Sequence, residues 1–496
     1  PPSPLSTLAL RSPLSVMSFL SRLLRATVVA FLAVVAGLYV RLPQIVGWLI
    51  RSDRDGAPIQ RLRIGHAMAG GERDPVAADE TMADAMKAVL WSKLFGVTHT
   101  GARGGWRDLV SALGAAEREY LSPSYGLGLG PREHAEAEIG EGTRYLSAVT
   151  RLALELHLEE APRFVRMVSP TLKLLGDNPD AMYYIARVDP SRRYRVEGCR
   201  DDDEVYFSLS VHAAARKGEA FQRVVADLND AAIATARAAA GRRCFTVAIG
   251  GPEPSDGTNW LRLPAEAATV VTRSYFELDP PAQINAVGRR GLDLRIVEVA
   301  GDAAPPPALP TDGEVAARLA AAAEFVRAHT VNMPQPDPTT APPFFSLLPN
   351  FIGKPAKWSA DAQGMGAVDI AYGAGRFLLR PGERLLIRGR LPPCRFANVV
   401  LWNRYLQTFD FERRRVSLNR QQLHAGKDGR FAVVLAATNP FGSAEGEAKA
   451  KANWLDSEGR ATGTLFFRFV LPDEDVEQPT TQLLGPGDDV EAALRK

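Results

Sequence analysis

The sequence predicts an α+β protein in which two related antiparallel β-sandwich, jelly-roll-like units follow helical segments and an N-terminal membrane anchor. Three observations carry that expectation. The chain has 496 residues, too many for one ordinary core. Residues 26–40, ATVVAFLAVVAGLYV, form a charge-free apolar run. Two β-rich stretches present the same motifs in the same order.

Apolar residues make up 46% and charged residues 23%, a globular rather than disordered balance. A formal net charge of +2 gives no global field for nucleic acid, so a nucleic-acid partner is not expected. The cysteines Cys199, Cys244 and Cys394 form no CxxC pair. Buried free thiols are the expectation, with Cys199–Cys244 the one pairing to consider if the body is exported. No Cys/His cluster has zinc spacing, and no metal or cofactor is expected.

The apolar run extends to residues 23–41 if Arg25 snorkels, near the roughly 20 residues that a spanning helix needs. An uncleaved, single-pass signal anchor is the preferred reading over a cleaved signal or an interfacial helix. Arg22 and Arg25 precede it, and Arg41, Arg51 and Arg54 follow, so the flanking charge sets no orientation. The true start could be Met17.

Residues 75–122 read as helical, and 133–160 as the clearest helix, with Tyr145, Val149, Leu152 and Leu156 on one face. GLGLG at 126–130 lacks the spacing of a dinucleotide fingerprint and reads as a loop. From Tyr183 short aromatic and β-branched runs begin, with a turn at Asp201, Asp202 and Asp203. Residues 225–240 read as a helix, 303–310 as a linker and 314–329 as a helix. The expected division is 1–55 tail and anchor, 56–175 helical, 176–300 first β unit, 301–357 linker with one helix, 358–475 second β unit and 476–496 flexible tail.

The repeat runs RYRVEG, VYFSLSV, CFTVAIG, Asn259-Trp260-Leu261 and a strand holding Arg273 in the first unit. The second has LLIRG, ANVVLWN, FAVVLAA, Asn453-Trp454-Leu455 and a strand holding Arg468. Two units should therefore superpose, with equivalent Asn-Trp-Leu turns. Each Arg should point into its sandwich core, where burial demands a carboxylate or several carbonyls, and a structural ion pair is expected.

The stretches GDNPDAMYYIARVD (176–189), NWLRLP (259–264), LWNRYLQTFDFERRRVSLNR (401–420) and NWLDSEGRATGTLFFRF (453–469) resemble the uncharacterised bacterial family called domain of unknown function twelve-fourteen. The resemblance covers roughly residues 140–475. It implies a β-sandwich or jelly-roll fold and brings no catalytic residue set. The first unit departs from the pattern, with Arg262 where the second has Asp456 and no counterpart of Gly459-Arg460.

There is no GxSxG elbow, P-loop or HExxH pair; His66, His134, His157 and His212 are scattered, and His212 reads as a satisfied strand-end residue. Asp177, Asn178 and Asp180 read as turn chemistry around Pro179. The ligand-binding candidates are Asn403, Arg404, Tyr405, Asn419, Arg420, Asn453, Trp454, Asp456 and Arg468, with preference for turns of the second unit. Two functions are compatible with these features. One is a membrane-anchored ligand-binding or accessory protein. The other is an enzyme acting on a small apolar or carbohydrate-like compound in a cleft between the units.

Overall fold

The computed structural model describes residues 101–495 except 123–124, 126–134, 160–161, 217, 221, 239–240, 300–309, 334–340, 360–363 and 442–452. The anchor at 23–41, the start of the 75–122 helical region and the GLGLG stretch lie outside the described residues. Among those described, no helix is long and apolar enough to cross a membrane.

Helix α1, Gly101–Ala115, continues as a π turn, Ala116–Tyr120; α2 is Ala135–His157, α3 Ala286–Arg290, α4 Asp312–Ala328 and α5 Val490–Leu494. Helix α4 starts with a reciprocal cap: the Thr311 hydroxyl accepts from the Glu314 N–H, and Glu314 accepts from the Thr311 N–H. The expected face of α2 is buried. Tyr145, Val149, Leu152 and Leu156 pack on α1, α4 and the sheet residues Ile185 and Val271. Helical periodicity alone gave this face; the share contributed by α4 could not be read from it.

The first strands are β1 Val165–Arg166, β2 Ala181–Arg187, β3 Tyr194–Arg200, β4 Glu204–Ala213, β5 Arg223–Asn229, β6 Ala236–Arg237, β7 Arg243–Ile249, β8 Trp260–Leu261, β9 Ala267–Phe276 and β10 Asp293–Glu298. The later strands are β11 Phe345–Ser346, β12 Ala356–Lys357, β13 Ile370–Leu378, β14 Arg384–Arg390, β15 Phe396–Trp402, β16 Ser417–Asn419, β17 Arg430–Ala436, β18 Asn453–Asp456, β19 Thr462–Val470 and β20 Thr480–Leu484. They form open sheets: an α+β protein, mostly β. One pair of sheets holds β2-β9-β4-β5 and β10-β3-β7, with β8 on β7; the other holds β13-β19-β15-β16 and β20-β14-β17-β18. The order of the first pair recurs in the second. Within each pair the two sheets share a core, for example Phe207, Leu209, Val247 and Ile249 in one and Val399, Leu401, Val433 and Leu435 in the other.

The register matches residue by residue. Trp260 pairs with Ala248 and Trp454 with Val434, each in a short parallel strand rather than the expected turn. The Asn259 amide holds Ala234 N–H, Ala234 C=O and Thr246 C=O; the Asn453 amide holds His424 N–H, His424 C=O and Ala432 C=O. Gly198 lies under Phe245, and Gly389 under Phe431; a Cβ would meet the ring tip at 2.7 and 2.6 Å.

Three expectations need correction. The described residues 225–238 of the expected 225–240 helix are not helical: Val224 and Ala226 are buried alternately in β5, which pairs with β4, and in the alanine-rich stretch beyond it Ala236–Arg237 pair with β7. The segment beyond 475 is not a flexible tail, since β20 pairs with β14 and α5 buries Val490 and Ala493. Cys199 and Cys244 are not free thiols. They face each other across β3 and β7 and are disulfide-bonded, while Cys394 is free.

The units also meet reciprocally. Asp180, just before β2, accepts from Asn398 and Asn419 of the later sheets at 2.8 Å each. Asp369, just before β13, accepts from Tyr206 (2.7 Å) and Asn229 (2.9 Å) of the earlier ones. Asn229 faces Ser208 as Asn419 faces Asn398. Beside these reciprocal bonds, Asp230 pairs with Arg395 and Arg420 with Glu277 across the same joint. Contacts of this i-to-j, j-to-i kind are those of a two-fold interface.

Candidate functional site

Side chains alternate along a strand, so the faces of β9 and β19 decide where the repeated arginines go. On β19, Leu465, Phe467 and Phe469 enter their own unit's core, while Phe466 and Val470 face the other unit. Arg468 shares the second face. On β9, Val270 enters the first unit's core; Val271, Arg273 and Tyr275 point away from it. The expectation of an Arg inside each sandwich core is therefore corrected. Both face the space between the units, where the sheets do not close on each other.

That space is a cavity of about 240 Å³. Its walls are mainly apolar: Tyr183, Tyr275 and Val271 from one unit, Trp402, Tyr372 and Phe466 from the other, and Phe344 and Trp358 from the connecting segment. Asp177, Arg273 and Arg468 also line it. The arginines occupy matching registers, Arg273 opposite Tyr183 and Ser208, Arg468 opposite Tyr372 and Asn398.

The expected ion pairs are not formed; among the described residues neither guanidinium has a carboxylate within salt-bridge distance. Arg273, 3% exposed, donates to the Ser210 hydroxyl at 2.6 Å and the Met365 carbonyl at 2.5 Å. Arg468, 4% exposed, donates through Nη2 to the Gly176 carbonyl at 3.0 Å and lies over the Trp402 and Phe466 rings at 5.0 and 4.8 Å. Its Nη1 has no hydrogen-bond partner. The position matching Ser210 is Val400, which has no hydroxyl to offer.

Burial raises the Asp177 carboxyl above its ordinary value, against the pull of Lys173 and Thr408. One Asp177 oxygen accepts from the Thr408 N–H at 2.8 Å and the other from its hydroxyl at 2.5 Å. Asp180 is pushed up to about 6 by burial, opposed by donation from Asn398 and Asn419. The GDNPD segment is thus a buried clasp more than a surface turn: Trp402 Nε1 donates to the Asp177 carbonyl at 2.9 Å. His212 lies inside β4, fully buried, with neither ring nitrogen partnered, so its expected satisfaction is corrected too; burial and then Arg273 lower its pKa well below the usual range.

Of the ligand-binding candidates, Arg468 alone lines this cavity. Asn403 caps its own loop, accepting from the Tyr405 and Gln407 N–H groups and donating to Glu141. Arg404 stacks on Tyr405 and donates to the Ser122 and Tyr125 carbonyls, while Tyr405 packs against Tyr120 and Tyr145. Asn419 and Arg420 join the units through Asp180 and Glu277. Asn453 and Trp454 hold β18, Trp454 donating to the Ala436 carbonyl at 3.2 Å. Asp456 pairs with Arg414 at 2.9 Å. Asn403 and Arg460 border a smaller polar cleft of about 130 Å³, where Arg460 is ion-paired with Glu141 and Glu458. Sequence reasoning missed Trp358, Phe344 and the three tyrosines; Arg273, recognised in the repeat, was the signal for their surroundings.

Fold and cavity define an α+β protein of tandem open sheets with an apolar chamber between them. Residues 384–474 match the family model described as Protein of unknown function (DUF1214), the family which the sequence motifs resemble. An uncharacterised protein from Burkholderia cenocepacia has a similar solved structure: 26% identity, TM-score 0.60, covering 77% of this chain and 97% of that one. A protein from Vibrio parahaemolyticus, 13% identical with a TM-score of 0.39 over 75% of this chain and 100% of that one, is too distant to add to the fold. No curated protein matches the sequence.

Proposed function

We propose that the chain is a ligand-binding or accessory protein, held at the membrane by a single pass at residues 23–41. Its body is a jelly-roll-like antiparallel sandwich used twice, with the ligand held between the copies. The carrying observation is the 240 Å³ chamber with apolar walls drawn from both units and a few buried polar groups, the usual make-up of a small-molecule site. The cross-strand disulfide fits a body outside the reducing cytosol. Binding is favoured over catalysis because, among the described residues, no histidine, cysteine, lysine or glutamate lines the chamber, and both Asp177 oxygens are held by Thr408.

Thermal unfolding in the presence of a panel of small aromatic and short-chain compounds tests this reading. At least one should raise the melting midpoint, as any ligand that prefers the native state must. If none does at millimolar concentration, the chamber is only a packing void. Removing residues 1–55 should release a soluble, folded body. Continued fractionation with membranes in high salt would contradict the anchor.

A further inference from the structure

We infer that the chamber takes a small apolar acid, one carboxylate on an aromatic ring or short alkyl chain, and that the Arg468 guanidinium receives the carboxylate. This rests on the chamber being a ligand site and adds the chemical class. Three observations converge on it. Arg468 lies in a chamber wall with one buried donor unpartnered, a costly state unless something completes it. The matching Arg273 is completed by Ser210 and Met365, so the same scaffold can satisfy an arginine here and does so only once. The rings beneath Arg468, Trp402 and Phe466, also line the chamber, so an anion on the guanidinium has an apolar surface beside it.

Charge and size narrow the class. Asp177 and Asp180 lie within electrostatic reach of Arg468 but beyond ion-pair distance, and their oxygens are taken by Thr408, Asn398 and Asn419. A single carboxylate would form a neutral pair with Arg468 among apolar walls. A dianionic phosphate would need further donors for its second charge, and the terminal nitrogens of Arg273 are already engaged by Ser210 and Met365. The space of about 240 Å³ lies below the roughly 300–1,000 Å³ usual for drug-sized ligands. That suits a benzoate-sized molecule rather than a long acyl chain or an oligosaccharide.

Calorimetric titration of the full-length protein in detergent, with benzoate, benzyl alcohol and phenyl phosphate as probes, tests the inference. Benzoate should bind roughly ten- to a hundred-fold more tightly than benzyl alcohol, the worth of one charge-assisted hydrogen bond. Arg468→Met should erase that preference while leaving benzyl alcohol affinity within a few-fold, which also reports that the variant is folded. Arg468→Lys should keep part of it. Equal binding of benzoate and benzyl alcohol, a preference that survives Arg468→Met, or tighter binding of phenyl phosphate would each overturn the acid assignment while leaving the chamber as a ligand site. Failure of all three probes would overturn both.

Discussion

The two β units run the same strand order, place Asn-Trp-Leu on the same short strand, and carry an arginine at the same register, yet they differ in what completes those positions. In the first, Ser210 and Met365 satisfy Arg273; in the second, Val400 replaces the serine and Arg468 keeps a spare N–H. Where the first joins β3 to β7 by Cys199–Cys244, the second has Arg390 and Arg430 at the matching pair, both within reach of Glu477. The difference teaches that the backbone solution is shared while each copy is stabilised by its own side chains. Room for function is left where the second copy lacks a partner.

The largest expected contrast is at the strand pair. Replacing Cys199 and Cys244 by serine frees a loop closed over a separation of 45 residues and should cost about 4 kcal/mol in a denaturant melt. Arg430→Ser in the second unit removes only exposed charge pairs and should cost less than about 1 kcal/mol. Similar losses would mean that the two strand pairs are held alike after all.

The asparagines come next. Asn453 is buried, Asn259 half-buried, and each amide makes three bonds to main-chain groups. Asn453→Ala should destabilise by about 3 kcal/mol and Asn259→Ala by about 1 kcal/mol. A reversed order would break the equivalence of the two motifs.

At the joint between the units, burial lifts Asp180 from 3.8 to about 6. The folded protein then holds more protons than the unfolded chain between these values, so this group makes stability fall as pH rises from about 4 to about 6, by about 2–3 kcal/mol. Asp180→Asn carries no titrating charge and should flatten unfolding curves across that window. A slope unchanged by the substitution would show that Asp180 titrates normally.

The smallest effect is shared by both copies. Gly198→Ala and Gly389→Ala each push a methyl into a phenylalanine ring and should cost about 1–2 kcal/mol alike. A loss in one unit only would show that the glycines are not equivalent.

Much of this comparison could be read from the sequence, because Asn-Trp-Leu and the following Arg recur at nearly constant spacing. Their orientation could not. A strand's two faces differ by one residue of register, and the apolar residues flanking Arg468 on both sides, Phe467 and Phe469 inward and Phe466 and Val470 outward, give no alternation to choose between them. Residues 225–240 misled because the alanine run that follows the edge strand β5 looks helical, whereas it turns and then pairs Ala236–Arg237 with β7. The chamber was legible only at its polar positions, Asp177, Arg273 and Arg468, since Trp358 and Phe344 come from an irregular Pro-rich stretch without periodicity. Asn403, Asn419 and Asp456 looked like ligand groups because the polar residues that cap a loop, clamp two units or hold a local ion pair are of the same types.

Crystals of the body, residues 56–496, soaked with 4-bromobenzoate test whether the two copies frame one acid-binding chamber. A bromine anomalous peak should appear between the sheets, beside Trp402 and Phe466, with the carboxylate within hydrogen-bond distance of Arg468. An empty chamber in a crystal whose bromine peaks lie elsewhere would contradict it.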